Sequence, residues 1–107
     1  EKTDKGLRDK AIFELMYSSG LRVSEICSLK IEDISFEGKY LRIFGKGKRE
    51  RIVPINDSAL DILKRYINTS RVILVKGKDT NELFLNFRGD KISRVGISKR
   101  GYEKERS

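Results

Sequence analysis

Two short runs with the period of a β-strand, joined by a glycine-punctuated cationic tip, constrain this chain more than any other feature. Residues 39–44 alternate, with Leu41 and Ile43 facing one way and Tyr40, Arg42 and Phe44 the other. Residues 51–55, Arg-Ile-Val-Pro-Ile, read as a second strand. Pro54 cannot donate to a ladder, so this strand lies at an edge or ends at the proline. Between the runs lies Gly45-Lys46-Gly47-Lys48-Arg49-Glu50, where two glycines free the backbone for a reversal. The chain must therefore hold an antiparallel hairpin as well as whatever helices its other residues form.

Those helices are legible from their spacing. Leu7, Ala11 and Leu15 make one i, i+4 row, widened by Ile12 and Met16, which predicts a helix over 4–19. Thr3 or Asp4 is placed to cap its start and Gly20 to end it. Residues 22–29 read as a short helix with Val23, Ile26 and Leu29 on one face. Residues 30–38 form a connector, with Glu37-Gly38 as its turn signal. A third helix covers 57–69, with Leu60, Leu63 and Ile67 on one face and Ser58 with Asp61 resembling a capping box. Residues 71–75 either extend that helix or start a strand. Residues 77–81 are a loop, 83–85 a short apolar extended segment and 88–90 a turn. Ser93 is placed to cap a last helix, although Gly96 and Gly101 each cost about 1 kcal/mol of helix propensity there. The fold class is α+β, mostly helical with a small antiparallel β-sheet built on the basic β-hairpin.

Charge narrows the function. The 107 residues carry a net charge of +8, unevenly distributed. Residues 1–38 are slightly acidic, whereas residues 39–54 hold six basic side chains against Glu50 alone. Residues 88–107 form a second basic stretch. A focused positive field of this kind fits a polyanionic partner, either nucleic acid or an anionic surface. Histidine is absent, which removes the commonest general base and metal ligand. A single cysteine excludes a disulfide framework or a multi-cysteine zinc site and fits a reducing, cytoplasmic setting. No run has the apolar length of a membrane span, and no signal-peptide pattern opens the sequence.

Two places could carry chemistry. Arg22 follows Gly20-Leu21 at the start of a short helix, where a cation opposes the helix dipole unless an anion binds beside it. Glu25, one turn on, could pair with Arg22 and fix its fork. A plain surface Arg–Glu pair is the alternative. The hairpin tip is the second place, with Lys46, Lys48, Arg49 and Arg51 within six positions and Arg42 on the strand before it. Such a ribbon can enter a groove of DNA or follow its phosphates; a solvated hairpin whose charges discourage edge pairing is the alternative. The tip is no Walker A loop, because it lacks Gly-Lys-Ser/Thr and joins strand to strand. Cys27 reads as a small packing residue. Tyr17 and Tyr66 lie near the apolar stripes as core or boundary residues.

The blocks Leu7-Arg8-Asp9-Lys10-Ala11 and Tyr17-Ser18-Ser19-Gly20-Leu21-Arg22-Val23-Ser24-Glu25 resemble the first motif of the tyrosine recombinases, the phage integrase family, and most of all its Xer-like branch. The connector Ile31-Glu32-Asp33-Ile34, the hairpin Phe44 to Ile55 and the segment Leu83-Phe84-Leu85-Asn86 follow in that family's order. The resemblance implies that Arg22 binds the scissile phosphate, that Lys46 protonates the leaving 5′-oxygen, and that Glu25 supports the arginine. It implies duplex DNA as partner, self-association of the full-length parent on DNA, and no metal or other cofactor. The family's His-x-x-Arg box and nucleophilic tyrosine have no counterpart here. Residues 96–107 do not match the nucleophile motif, so Tyr102 is not given that role. Residues 1–107 thus resemble a single partial domain, the front portion of a catalytic domain, inactive in cleavage alone. A non-catalytic DNA-binding module is the alternative, and a basic protein- or membrane-surface domain a weaker one.

Overall fold

The first helix, α1, runs Asp4–Ser18. The computed structural model describes residues 4–45, 47, 49–94 and 97. Ala11, Ile12 and Leu15 of α1 are buried, as their spacing requires. Gly20 adopts a φ of +68°, and the Leu21 N–H donates back to the Leu15 carbonyl at 3.3 Å. This is the left-handed helix stop that glycine permits. Tyr17 departs from the core or boundary expectation and is 57% exposed, its ring edge-on to Phe13. Position 17 is two residues past Leu15, about 200° around the helix from the buried row.

Helix α2 spans Val23–Cys27, shorter than the expected 22–29, and Arg22 is its N-cap. A 3₁₀ turn at Ile31–Asp33 follows, with the Asp33 carboxylate accepting the Lys30 N–H at 3.0 Å. The connector then contributes an unforeseen strand, β1 (Ile34–Ser35), which pairs with β2 (Tyr40–Phe44). Two residues carry no periodicity, so only the pairing of Ile34 with Leu41 and of Ser35 with Tyr40 defines this strand. Strand β3 is Glu50–Pro54, and the sheet is antiparallel in the order β1-β2-β3. Pro54 closes β3 on the outer edge, opposite Tyr40, where no ladder bond is asked of it. Leu41, Ile43 and Val53 share the buried face, while Phe44 and Ile52 are about half exposed.

Helix α3 covers Asp57–Arg65. Its cap differs from the expected Ser58–Asp61 box: the Asn56 side chain accepts the Ala59 N–H at 2.8 Å. Asn56 lies one residue outside the helix with extended backbone, which is where a capping oxygen reaches the free N–H groups. A π turn, Tyr66–Ser70, leads directly into α4, Arg71–Leu74. Residues 71–74 therefore continue the helix, with Leu74 buried and Val72 and Ile73 exposed. Cys27 is buried among core residues.

The apolar segment Leu83-Phe84-Leu85 is fully buried and threads between these layers. The Leu83 N–H donates to the Leu29 carbonyl at 3.0 Å and the Ile92 N–H to the Phe84 carbonyl at 3.1 Å. Three side chains from the helices hold its backbone and that of the residues just before it. The Tyr66 hydroxyl donates to the Leu83 carbonyl and accepts the Leu85 N–H. The Arg71 guanidinium donates to the carbonyls of Thr80 and Glu82. Arg8, 2% exposed, donates to the Leu85 carbonyl at 2.8 Å and pairs with Asp9. A turn at Asn86–Asp90 returns the chain, with Gly89 at a φ of +81°. The Ile97 N–H donates to the Ser93 carbonyl at 3.2 Å, in keeping with a helical turn starting at Ser93. Residues 95, 96 and 98–107 of the expected last helix, Tyr102 included, lie outside the described residues.

Candidate nucleic-acid interface

The site is organised by Glu25, the third residue of α2. Its Oε1 accepts the Arg22 backbone N–H at 2.9 Å, the glutamate half of a capping box. An arginine side chain has no acceptor, so the reciprocal half cannot form. The expected side-chain pair between Glu25 and Arg22 is replaced by a pair with the hairpin. Arg51 Nη1 donates to Glu25 Oε2 at 2.6 Å and Arg51 Nη2 to Glu25 Oε1 at 3.1 Å. Strand parity explains the contact. Arg51 pairs with Ile43 across the ladder and shares the inward face with Val53, so it points at the helices.

The electrostatics follow from that geometry. The Arg51 hydrogen bond holds the Glu25 carboxyl below its ordinary pKa; burial opposes this, and the Arg22 N–H adds to the lowering. The Glu25 side chain is 11% exposed and the Arg51 side chain 50%. Arg22 is exposed, and among the described residues its guanidinium makes no ion pair. A free fork thus sits at the start of α2, beside a carboxylate already engaged elsewhere.

The remaining candidates group around the hairpin. The Gly45 N–H donates to the Arg49 carbonyl at 2.8 Å and closes the tip. Gly47 adopts a φ of +70° within it. Arg49 is exposed. Lys46 and Lys48 lie outside the described residues. Arg42 is half-buried on the sheet's other face and borders a shallow pocket shared with Glu25, Ser28 and Asp33.

The structure adds two residues that the sequence reading did not single out. Lys91 and Arg94 line a cleft of about 390 Å³ beside α2, together with Ser24, Cys27, Ser28 and Ser93. Burial pushes the Cys27 thiol up in pKa, while Lys91 and Arg94 pull the other way. Lys91 and Arg94 belong to the second basic stretch, but nothing in their spacing shows that residue 91 returns to residue 27. Among the described residues, no three His, Cys, Asp or Glu side chains gather to hold a metal ion. No helix among them is long and apolar enough to cross a membrane.

Comparison with known proteins fits this arrangement. The model of the phage integrase family matches residues 1–103. Tyrosine recombinase XerD of Staphylococcus epidermidis is 45% identical over 96 residues, covering 90% of this chain and 32% of that protein. Tyrosine recombinase XerC of Thermodesulfovibrio yellowstonii is 47% identical over 89 residues, 80% of this chain and 30% of its own length. This chain spans about a third of the length of these relatives. Among solved structures, the XerA recombinase superposes with a TM-score of 0.76 at 24% identity, covering 91% of this chain and 34% of that one. The XerH site-specific recombinase, solved on its difH substrate, superposes with a TM-score of 0.78 at 21% identity, covering 97% and 31%. These structures share the α+β fold expected of the sequence, a helical body with a three-stranded antiparallel sheet. The chain belongs to the phage integrase family, as a segment similar to the tyrosine recombinases XerD and XerC.

Proposed function

We propose that this chain supplies the arginine and lysine half of a phosphoryl-transfer site that cuts and rejoins duplex DNA. The observation that carries this reading is the Glu25 carboxylate, which ties the Arg22 backbone and the basic hairpin to one point across 26 residues. Arg22, with its exposed guanidinium, grips the scissile phosphate and spreads the charge of the transition state. Lys46 gives its proton to the departing 5′-oxygen as a tyrosine oxygen, its own proton lost to water, bonds to the phosphorus and the 5′ P–O bond breaks. Glu25 supports Arg22 by fixing its backbone. Lys48 and Arg49 hold the duplex through its phosphates, with Arg42 on the neighbouring strand. Arg51 adds charge to the same face while its guanidinium rests on Glu25. Arg22 and Lys46 supply the cations that help phosphoryl transfer, so the proposed reaction calls on no metal or nucleotide.

The attacking tyrosine is not assigned in this chain; residues 1–107 act as the front portion of a larger catalytic domain. The parent protein works on DNA in the cytoplasm and self-associates there. Duplex binding measured against salt tests the reading. Changing Lys46, Lys48 and Arg49 together to Ala should lower the slope of log K against log salt by about 2 to 3, near 0.9 for each lost phosphate contact. Arg22→Ala should keep the circular-dichroism spectrum and weaken duplex binding. Salt-independent binding would count against DNA as the partner. A covalent DNA adduct formed by this chain alone through Tyr102 would overturn the division of roles.

A further inference from the structure

We propose that Arg51 is a positioning residue, a latch on Glu25 that sets the hairpin's place over α2 and so the distance from the hairpin tip to Arg22. Three observations carry this. Both terminal nitrogens of Arg51 are committed, one to each oxygen of the same carboxylate, at 2.6 and 3.1 Å. A two-point pair of this kind fixes orientation as well as distance, which a lysine cannot do. Glu25 Oε1 also accepts the Arg22 N–H at 2.9 Å, so a single oxygen atom meets both the helix start and the hairpin. Finally, Arg51 lies on the inward face of β3, in line with buried Val53 and opposite buried Ile43. Arg49, at the tip, is exposed and makes no such pair among the described residues. The two arginines, two positions apart, therefore do different work. One reaches outward to an anion; the other reaches inward and holds the arm steady.

The cost of losing the latch follows from where the hairpin is otherwise held. The buried face of β2 and β3 anchors its base through Leu41, Ile43 and Val53. Phe44 and Gly45 beyond it are exposed, so the rung of Ile43 and Arg51, with its Glu25 pair, is the last of β2 and β3 to face inward before the tip. Without that pair the rungs nearest the tip loosen, the Gly45–Arg49 bond opens more often and the tip swings, and a small misplacement of a catalytic group costs rate steeply.

The proposal rests on the reading of Arg22 and the hairpin as one site, and two independent measurements keep the two apart. Amide hydrogen exchange at Gly45, whose N–H closes the tip, reads the latch without DNA. Arg51→Ala, Arg51→Lys and Glu25→Gln should each speed it about tenfold, with no further gain in the Glu25→Gln/Arg51→Ala double variant. Duplex binding against salt reads contact with phosphate. Arg51→Lys should leave the slope unchanged, and Arg51→Ala should lower it by much less than Arg49→Ala, for which a fall of about 0.9 is expected. Unchanged exchange at Gly45 in Arg51→Lys, or equal slope losses in Arg51→Ala and Arg49→Ala, would overturn the latch. If Arg51→Ala fails to fold, Arg51→Lys alone decides. Failure of the unaltered chain to bind duplex removes the functional reading, while the exchange data still stand or fall by themselves.

Discussion

At the scale of single residues, the side chains that hold this molecule together are polar groups facing a backbone that no ladder serves. Tyr66 is the clearest. It is inaccessible to solvent, and its hydroxyl lies between the Leu83 carbonyl and the Leu85 N–H at 2.9 and 3.2 Å. Burial raises its pKa from the ordinary 10.0 to about 12, because the anion would sit away from water. The folded state thus favours the neutral phenol. Its contribution is complete below pH 10 and is lost as pH rises toward 12, for about 2 to 3 kcal/mol in all. Urea unfolding between pH 8 and 12 should show this alkaline fall. Tyr66→Phe should lose about 1–3 kcal/mol at pH 8 and show a flatter alkaline limb. Arg8 works in the same way on the Leu85 carbonyl, with Phe87 lying 5.5 Å from its guanidinium carbon. In the sequence, Arg8 is one charged residue in a helix. Its burial follows from its place one residue after Leu7 and three before Ala11, on the margin of the apolar row.

At the scale of elements, most of the helices and strands were visible in the sequence because each carries its own period. The row Leu7, Ala11, Leu15 and the stop at Gly20 describe α1 within one residue. The alternation of Leu41 and Ile43 describes β2 and predicts which face is buried. What was not visible depends on partners. β1 exists because Leu41 lies beside it, and the cap of α3 falls to Asn56 because backbone geometry, not residue preference, chooses among neighbouring polar residues. The turn after Leu85 also depends on a neighbour. A Cβ on Gly89 would stand 2.9 Å from the Leu74 carbonyl oxygen, at a φ of +81° that other residues resist. Gly89→Ala should therefore cost about 2 kcal/mol or more, read as a lowered denaturant midpoint with an unchanged slope.

At the scale of the whole molecule, one core joins α1, α2, the sheet, α3 and the 83–85 segment. The exposed apolar residues stand outside it. Val72 and Ile73 on α4 are 62% and 60% exposed. Replacing both with Lys should move unfolding stability by no more than about 0.5 kcal/mol per site, checked by thermal melting. The same two changes should leave the salt slope of duplex binding nearly unaltered, because among the described residues no α4 side chain bonds to the hairpin or to Glu25. The positive field lies at the other elements, on the hairpin and in the cleft that Lys91 and Arg94 share with α2.

The sequence by itself determined the helices with a strong apolar row, the hairpin and its buried face, the basic tip, the place of Arg22 at a helix start and the resemblance to tyrosine recombinases. All of these rest on residues close together in the chain, where periodicity and turn chemistry act directly. The tertiary structure decided the rest. It turned the expected Arg22–Glu25 side-chain pair into a Glu25–Arg51 pair, because the folded sheet brings an inward-facing strand residue to a helix 26 positions away. It also brought Lys91 and Arg94 to Cys27, gave the 83–85 backbone to Tyr66 and Arg8, and gave the carbonyls just before it to Arg71. Contacts of that span leave no mark in local spacing; they follow from which faces must be buried together once the elements exist.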